Sequence, residues 1–196
     1  MNAVMEQTRK HHASLQEMLA DVFRTAATAG RSLMPQMAAT GYARGVDDLT
    51  PLEVATEAVN LRRLAMRAAG FLGQRYLIAA YEYPVDDLMR DREEYATLQV
   101  ASYCISHKPQ LRDRYLVADL VRDYVGKARK GGHQIIRGKA VANHTDEWWS
   151  AHNHITTRTI SNWKVAVQTQ LQPLEFQVLA RVDIAFADRG IEWRVD

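Results

Sequence analysis

Apolar side chains recur three and four residues apart along most of the chain, which is the spacing of one face of an α-helix. The clearest segment begins at Thr50, which can cap a helix, followed by Pro51 at its first position and Glu53 to complete a capping box. Within it, one predicted face carries Val54, Ala58, Leu61, Ala65, Ala68 and Leu72. We therefore predict a long helix here, which Gly70 and Gly73 can bend or end.

The same spacing predicts further helices in the rest of the chain. Their segments are 15–29, 91–107, 111–130, 139–153, 157–171 and 173–189. The last begins at Pro173, and we expect it to fold back over Ile160 and Trp163. The stretch "KGGHQIIRGK" is predicted to be a loop with a short extended piece at 134–137. Because no segment alternates like a half-buried strand over a useful length, the chain is predicted to be all-α.

Basic residues are concentrated in one part of this chain. The formal net charge is +2 overall, yet residues 124–174 hold seven Lys and Arg against only Asp146 and Glu147. This segment therefore carries +5, and the remaining 18 basic and 21 acidic residues carry −3. A local basic surface suits a polyanionic partner, and a solvated basic face without a partner fits the charge equally well. We divide the chain into a helical body at 1–126, expected to contact proteins, and a basic region at 127–196, expected to contact a polyanion.

The composition argues against several classes of protein. With no run of about 18 apolar residues and no apolar N-terminal core, the sequence predicts neither a membrane span nor a signal peptide. Cys104 is the single cysteine, which excludes an intramolecular disulfide and a zinc site built on several cysteines. We therefore expect a cytoplasmic protein in which Cys104 is a small buried residue.

The segment "SAHNHITTRTISNWKVAV" fits the demands of a DNA-binding helix-turn-helix. Ser150 occupies the position where the first helix needs a small residue, His154 the turn, and Ile155 the apolar anchor after it. Ile160 then lies three residues before Trp163, the spacing of the two buried residues of the second helix. Glycine is usual at the turn, so His154 is expected to adopt a positive φ, which histidine tolerates only moderately.

The opposite face of this second helix is polar and free of acids. Its N-cap is Thr156 or Thr157, while arginine and asparagine side chains can pair with guanine and adenine in the major groove. Six residues are predicted to face DNA: Thr156, Thr157, Arg158, Ser161, Asn162 and Lys164. Five basic residues upstream are predicted to contact DNA as well: Lys127, Arg129, Lys130, Arg137 and Lys139. An ordinary amphipathic helix with a solvated polar face is the alternative.

Catalytic and metal sites find little support in the sequence. The tripeptide "HNH" is not an HNH nuclease site, whose residues are scattered over a ββα metal fold. A zinc site from His144, His152 and His154 would lack cysteine ligands, so surface histidines are the better interpretation. Trp148 or Trp149 is expected to pack against the second helix. Because no phosphate-binding glycine loop or nucleophile pattern is present, we predict no catalytic site, no metal and no cofactor.

Three stretches follow one another in a distinctive order along the chain. The stretch "SLMPQMAATGYARG" precedes the long helix, "LQVASYC" ends another helix in the pair Tyr103 and Cys104, and "ITTRTISNWKVAV" precedes the last helix. In the order and local composition of these stretches, over about two thirds of its length, the chain resembles the late-gene antitermination proteins called Q of lambda-like phages.

The resemblance implies a DNA-bound regulator that engages RNA polymerase. Proteins of this family bind a late-promoter element through a helix-turn-helix, join the paused polymerase and alter its RNA exit channel so that terminator hairpins do not form. The positions that carry over as DNA-facing are Thr157, Arg158, Ser161, Asn162 and Lys164. The lambda member carries a cysteine-rich zinc-binding insertion where this chain has "GKARKGGHQIIRGK". The polymerase-contacting surface therefore does not carry over.

The sequence thus predicts a sequence-specific regulator that acts in the cytoplasm of a phage's bacterial host. Its expected partners are double-stranded DNA and RNA polymerase, with no membrane. Three rival hypotheses remain open. The first is a DNA-packaging adaptor like a terminase small subunit, which assembles as a ring. The others are a simple repressor, and an inhibitory protein that binds a host complex by charge without DNA specificity.

Overall fold

The computed structural model describes residues 14–29, 51–130, 133–136, 139–142 and 145–191, with only the backbone described for residue 51 and between 127 and 142. These residues form six helices: α1 (Leu15–Thr28), α2 (Pro51–Tyr81), α3 (Asp87–His107), α4 (Arg114–Lys130), α5 (Asp146–Asn153) and α6 (Thr157–Ala187). The predicted all-α class is confirmed. Within the described ranges, no helix is long and apolar enough to cross a membrane.

A small antiparallel hairpin lies between α4 and α5. Its strands are β1 (His133–Ile136) and β2 (Lys139–Ala142). The extended piece predicted here is confirmed in part, but the helix predicted over 139–153 is wrong at Lys139–Ala142, because the β2 backbone pairs with β1. Helix α5 begins where Thr145 caps it, its hydroxyl accepting a hydrogen bond from the Trp148 N–H at 3.3 Å.

Helix α2 is broken in its middle by Gly70, whose φ of 72° and ψ of 177° suit glycine alone. Its two halves fold back on each other. Arg62 in the first half donates from Nη2 to both carboxylate oxygens of Glu82, just after α2, at 2.8 and 2.7 Å. The same 20 residues in a straight helix would span about 30 Å. The predicted bend at Gly70 is therefore confirmed.

Helix α6 runs without interruption over 31 residues, and Pro173 lies inside it. The two separate helices predicted on either side of Pro173 are therefore wrong. The expected folding back of the last helix over Ile160 and Trp163 is wrong for the same reason, since one continuous helix cannot fold back over its own N-terminal end.

Packing explains why Pro173 does not end the helix. Proline removes one backbone hydrogen bond from a helix interior, and this proline lies on the exposed side of α6. The neighbouring Leu171 and Leu174 are buried in the core. Their burial holds the helix together across the proline, since tertiary packing contributes most of the stability of such helices.

One hydrophobic core joins all six helices of the described part. It includes Val125 from α4, Trp149 from α5 and Ile160 from α6, so the α5–α6 pair shares a core with the rest of the molecule. Cys104 is fully buried in the same core, and burial raises the pKa of its thiol to about 12. The predicted burial of Cys104 is confirmed.

The second half of α2 approaches α6 very closely at Gly73. A Cβ atom there would lie 2.8 Å from Cγ2 of Val178 and 3.0 Å from the Cβ of Ala69. Real Cβ atoms do not tolerate the shorter distance, so a side chain at this position would push the two helices apart.

Gly73→Ala is therefore expected to lower the free energy of unfolding by about 1–3 kcal/mol through overpacking, measured by urea denaturation with circular dichroism. Val178→Ala removes the methyl group in question. The double variant should accordingly cost less than the sum of the two single variants, as residues in contact do in a double-mutant cycle. Strict additivity would show that this helix contact does not limit the residue at position 73.

Candidate nucleic-acid interface

A tight turn connects α5 to α6, and His154 sets its direction. Its φ of 55° and ψ of 34° place it in the left-handed region, and it is the one non-glycine residue with positive φ among those described. The predicted positive φ is confirmed. Ser150 holds the turn: its carbonyl accepts from the Ile155 N–H at 3.3 Å, and its hydroxyl donates to the Ile155 carbonyl. The small residue predicted at position 150 therefore supports the turn directly.

Helix α6 begins with a side-chain cap. The Thr156 hydroxyl accepts from the Thr159 N–H at 3.2 Å, which satisfies one of the backbone donors left open at a helix start. Of the two caps considered from the sequence, Thr156 is the one used.

The start of α6 has a buried and an exposed side. Ile160 is 0% and Val167 1% exposed, and Trp163 is half-buried against the core. The exposed side carries five of the six predicted DNA-facing residues: Thr156, Thr157, Arg158, Ser161 and Asn162. The helical spacing in the sequence predicted this division.

Acidic side chains are absent from this surface. The sequence contains no Asp or Glu between Glu147 and Glu175, and the first turn of α6 carries none. The positive end of the helix dipole is therefore not neutralised on α6, and it favours an anion at this point.

Lys164 is the exception among the predicted residues. Its Nζ lies 2.9 Å from Oδ1 of Asp146 and 3.9 Å from Oδ2 of Asp123, and its side chain is only 22% exposed. Asp123 on α4 is 3% exposed, so Lys164 compensates a buried charge and joins α4, α5 and α6. The sequence could not reveal this role, since both carboxylates lie on other helices.

The far half of α6 is also fixed by polar contacts inside the fold. The Tyr124 hydroxyl donates to Oε2 of Glu175 at 2.7 Å, and Nε2 of Gln16 donates to Oε1 at 3.2 Å. Burial, and then the Glu175 carboxylate, raises the pKa of Tyr124 and of Tyr76 well above the ordinary value for tyrosine. Tyr124 therefore stays a protonated donor at neutral pH, and α6 is tied to α1 and α4.

Four of the five upstream basic residues belong to α4 and the hairpin. Lys127, Arg129 and Lys130 form the end of α4, and Lys139 begins β2. The side chains of these four, and the whole of Arg137, lie outside the described residues.

The aromatic and histidine residues of α5 form a stack that the sequence analysis missed. Trp148 is 40% exposed and stacks on His152 with ring centroids 4.7 Å apart and planes inclined by 10°. Their spacing of four residues is a signal that a helix brings them together. Trp149 is the buried tryptophan. His144 lies outside the described residues, and within them no three His, Cys, Asp or Glu side chains are grouped to hold a metal ion.

Comparison with models of protein families, with curated proteins and with solved structures found no match for this chain.

The position of Lys164 leads to a test of its role. Lys164→Met should lower the free energy of unfolding by about 2–3 kcal/mol, less than for a fully buried pair because Asp146 is partly exposed. Thermal and urea unfolding measure this loss, and Asp123→Asn in the same chain should restore part of it. Arg158→Met is the matched control and should change stability by less than about 0.5 kcal/mol, as for an exposed residue. If Lys164→Met instead kept wild-type stability and lost DNA affinity, Lys164 would be a phosphate contact.

Proposed function

We propose that the protein is a sequence-specific DNA-binding regulator of transcription that inserts the start of α6 into the major groove. The observation that carries this proposal is the exposed, acid-free side of α6, which begins directly after the left-handed turn at His154. In helix-turn-helix proteins the N-terminal residues of the second helix contact the base edges.

The side chains on this surface have the chemistry that base reading needs. Arg158 can donate two hydrogen bonds to guanine, and Asn162 can pair with adenine. They are four residues apart, which is about 6 Å along a helix, close to two base steps of about 3.4 Å. The hydroxyls of Thr156, Thr157 and Ser161 suit phosphate oxygens, which position the helix without reading sequence.

The basic stretch upstream supplies the sequence-independent part of the affinity. Lys127, Arg129, Lys130, Arg137 and Lys139 come shortly before α5 in the chain. Contacts between such residues and phosphates release counterions, so their contribution decreases as salt increases. No cofactor or metal is required for this mode of binding.

The regulator class that we favour is antitermination at a phage late promoter, in the cytoplasm of the bacterial host and with RNA polymerase as a second partner. The order of the three sequence stretches that resembles the Q proteins supports this choice. The hairpin β1–β2 occupies the position where the lambda member has its zinc-binding insertion.

DNA binding is tested by selecting a preferred site from random double-stranded DNA and measuring the affinity of variants for it. Arg158→Ala should weaken specific binding by about 1–3 kcal/mol, roughly 5- to 150-fold, and relax the base preference at one position. Arg189→Ala is the matched control, since it removes an exposed arginine about 45 Å away beyond the other end of α6. Failure to enrich any motif, or equal losses for the two arginines, would contradict the proposed reading surface.

Antitermination is tested by transcription in vitro from a late-promoter template that carries a terminator downstream. Wild-type protein should increase read-through, and Arg158→Ala should abolish the increase at limiting protein concentration. Reduced initiation without read-through would indicate a repressor instead. A ring of many copies in size-exclusion chromatography with light scattering, again without read-through, would indicate a packaging adaptor.

A further inference from the structure

An arginine of α2 lies between two aromatic rings at the surface, away from α5 and the start of α6. The guanidinium carbon of Arg75 is 5.3 Å from the ring centroid of Phe71 and 5.2 Å from that of Tyr95 on α3. The rings are far from buried, since Phe71 is 75% and Tyr95 52% exposed. Such an arrangement holds the guanidinium plane in a fixed orientation.

A fourth side chain extends this surface along α3. Leu88 is 78% exposed, and it lies seven residues, two helical turns, before Tyr95, so both project from the same side of α3. We refer to Phe71, Arg75, Leu88 and Tyr95 as the aromatic–arginine patch. Its three apolar members lose water-exposed area on binding a partner, which is the main driving force of such contacts.

The charge of Arg75 has no counterpart in the described part of the molecule. No carboxylate there forms an ion pair or hydrogen bond with it, and its Nε–H is buried without an acceptor. Arg62 provides an internal comparison. It lies 5.2 Å from the centroid of the Phe23 ring, but it donates to both oxygens of the buried Glu82. Arg62 is thus stacked on a ring and paired with a carboxylate inside the fold, whereas Arg75 is stacked on rings without such a carboxylate among the described residues.

We propose that the aromatic–arginine patch docks an acidic segment of a protein partner. A partner carboxylate accepts hydrogen bonds from the Arg75 guanidinium, and apolar side chains next to it pack on Phe71, Tyr95 and Leu88. Arginine and aromatic residues dominate the energetic centres of protein interfaces, where a desolvated arginine–carboxylate pair is strong.

The charges around the patch favour a protein over a nucleic acid as the occupant. The exposed charged residues at the start of α3 are Asp87, Arg90, Asp91, Arg92 and Glu94. Together with Arg75 these residues make three acids and three bases, so this surface has no positive excess to neutralise a row of phosphates. A single carboxylate of a partner, flanked by apolar side chains, complements the single Arg75 guanidinium flanked by aromatic rings.

The test uses the full-length protein and a random 12-residue peptide library displayed on phage. Selection on the wild-type protein, with counter-selection on Arg75→Met, should enrich peptides that carry Asp or Glu beside Leu, Phe or Trp. Synthetic versions of the enriched peptides should bind Arg75→Met and Arg75→Lys at least tenfold more weakly, measured by fluorescence anisotropy. Arg112→Met removes an exposed arginine elsewhere and should bind like wild type, and all variants should keep their affinity for the selected DNA site.

The possible outcomes separate this proposal from the DNA-binding proposal. Enrichment of peptides without acidic residues, or equal binding to Arg75→Met, would overturn the docking site and leave DNA binding untouched. Competition by nonspecific DNA for the peptide site would overturn it in favour of a nucleic acid. If Arg75→Met unfolds at a lower temperature than wild type, Phe71→Ser serves instead. The Phe71 ring is largely exposed, and its removal should weaken the binding of the peptide as well.

Discussion

The contact between α6 and the second half of α2 governs where the candidate DNA-contacting surface lies. Gly73 permits this contact, since a Cβ there would come within 2.8 Å of Val178. From Val178 to Arg158, α6 extends for 20 residues without a break, about 30 Å at the rise of an α-helix. A rotation of α6 at the contact would therefore turn Arg158 and Asn162 by the same angle. Close packing at one end of the helix sets the orientation of the polar side chains at the other.

Two polar contacts with α4 restrict the rotation of α6 about its axis more strictly than apolar packing does. Lys164 lies beside Asp123, and Glu175, three turns further along α6, accepts a hydrogen bond from Tyr124. A rotated helix can still bury leucines and valines, but it would separate Lys164 from Asp123 and Glu175 from the Tyr124 hydroxyl. Breaking a buried ion pair is costly, so these pairs favour one orientation of α6. The exposure of Arg158 and Asn162 follows from that orientation.

The features that the sequence predicted correctly depend on neighbours within a few residues. The left-handed conformation at His154 and the cap at Thr156 both arise within one turn of helix. The failures depend on distant contacts. A local rule predicts that Pro173 starts a helix, whereas burial of Leu171 and Leu174 carries the helix through it. The ion pairs of Lys164 depend on distant contacts as well, with carboxylates 18 and 41 residues away in sequence, while its contact with DNA stays a prediction.

Dependence on contacts that are distant in sequence also distinguishes the two stacked arginines of α2, Arg62 and Arg75. The spacing of Phe71 and Arg75 signals a helical contact, but whether a carboxylate meets the guanidinium depends on how the chain folds back. For Arg62 the break at Gly70 brings Glu82 into position, and the ion pair stabilises the fold. No such partner reaches Arg75 among the described residues. Arg158 stands among uncharged hydroxyl and amide groups, a setting that suits phosphates and base edges. Arg75 stands between two exposed rings, and in the proposed complex these exclude water around its ion pair with the partner carboxylate and thereby strengthen it.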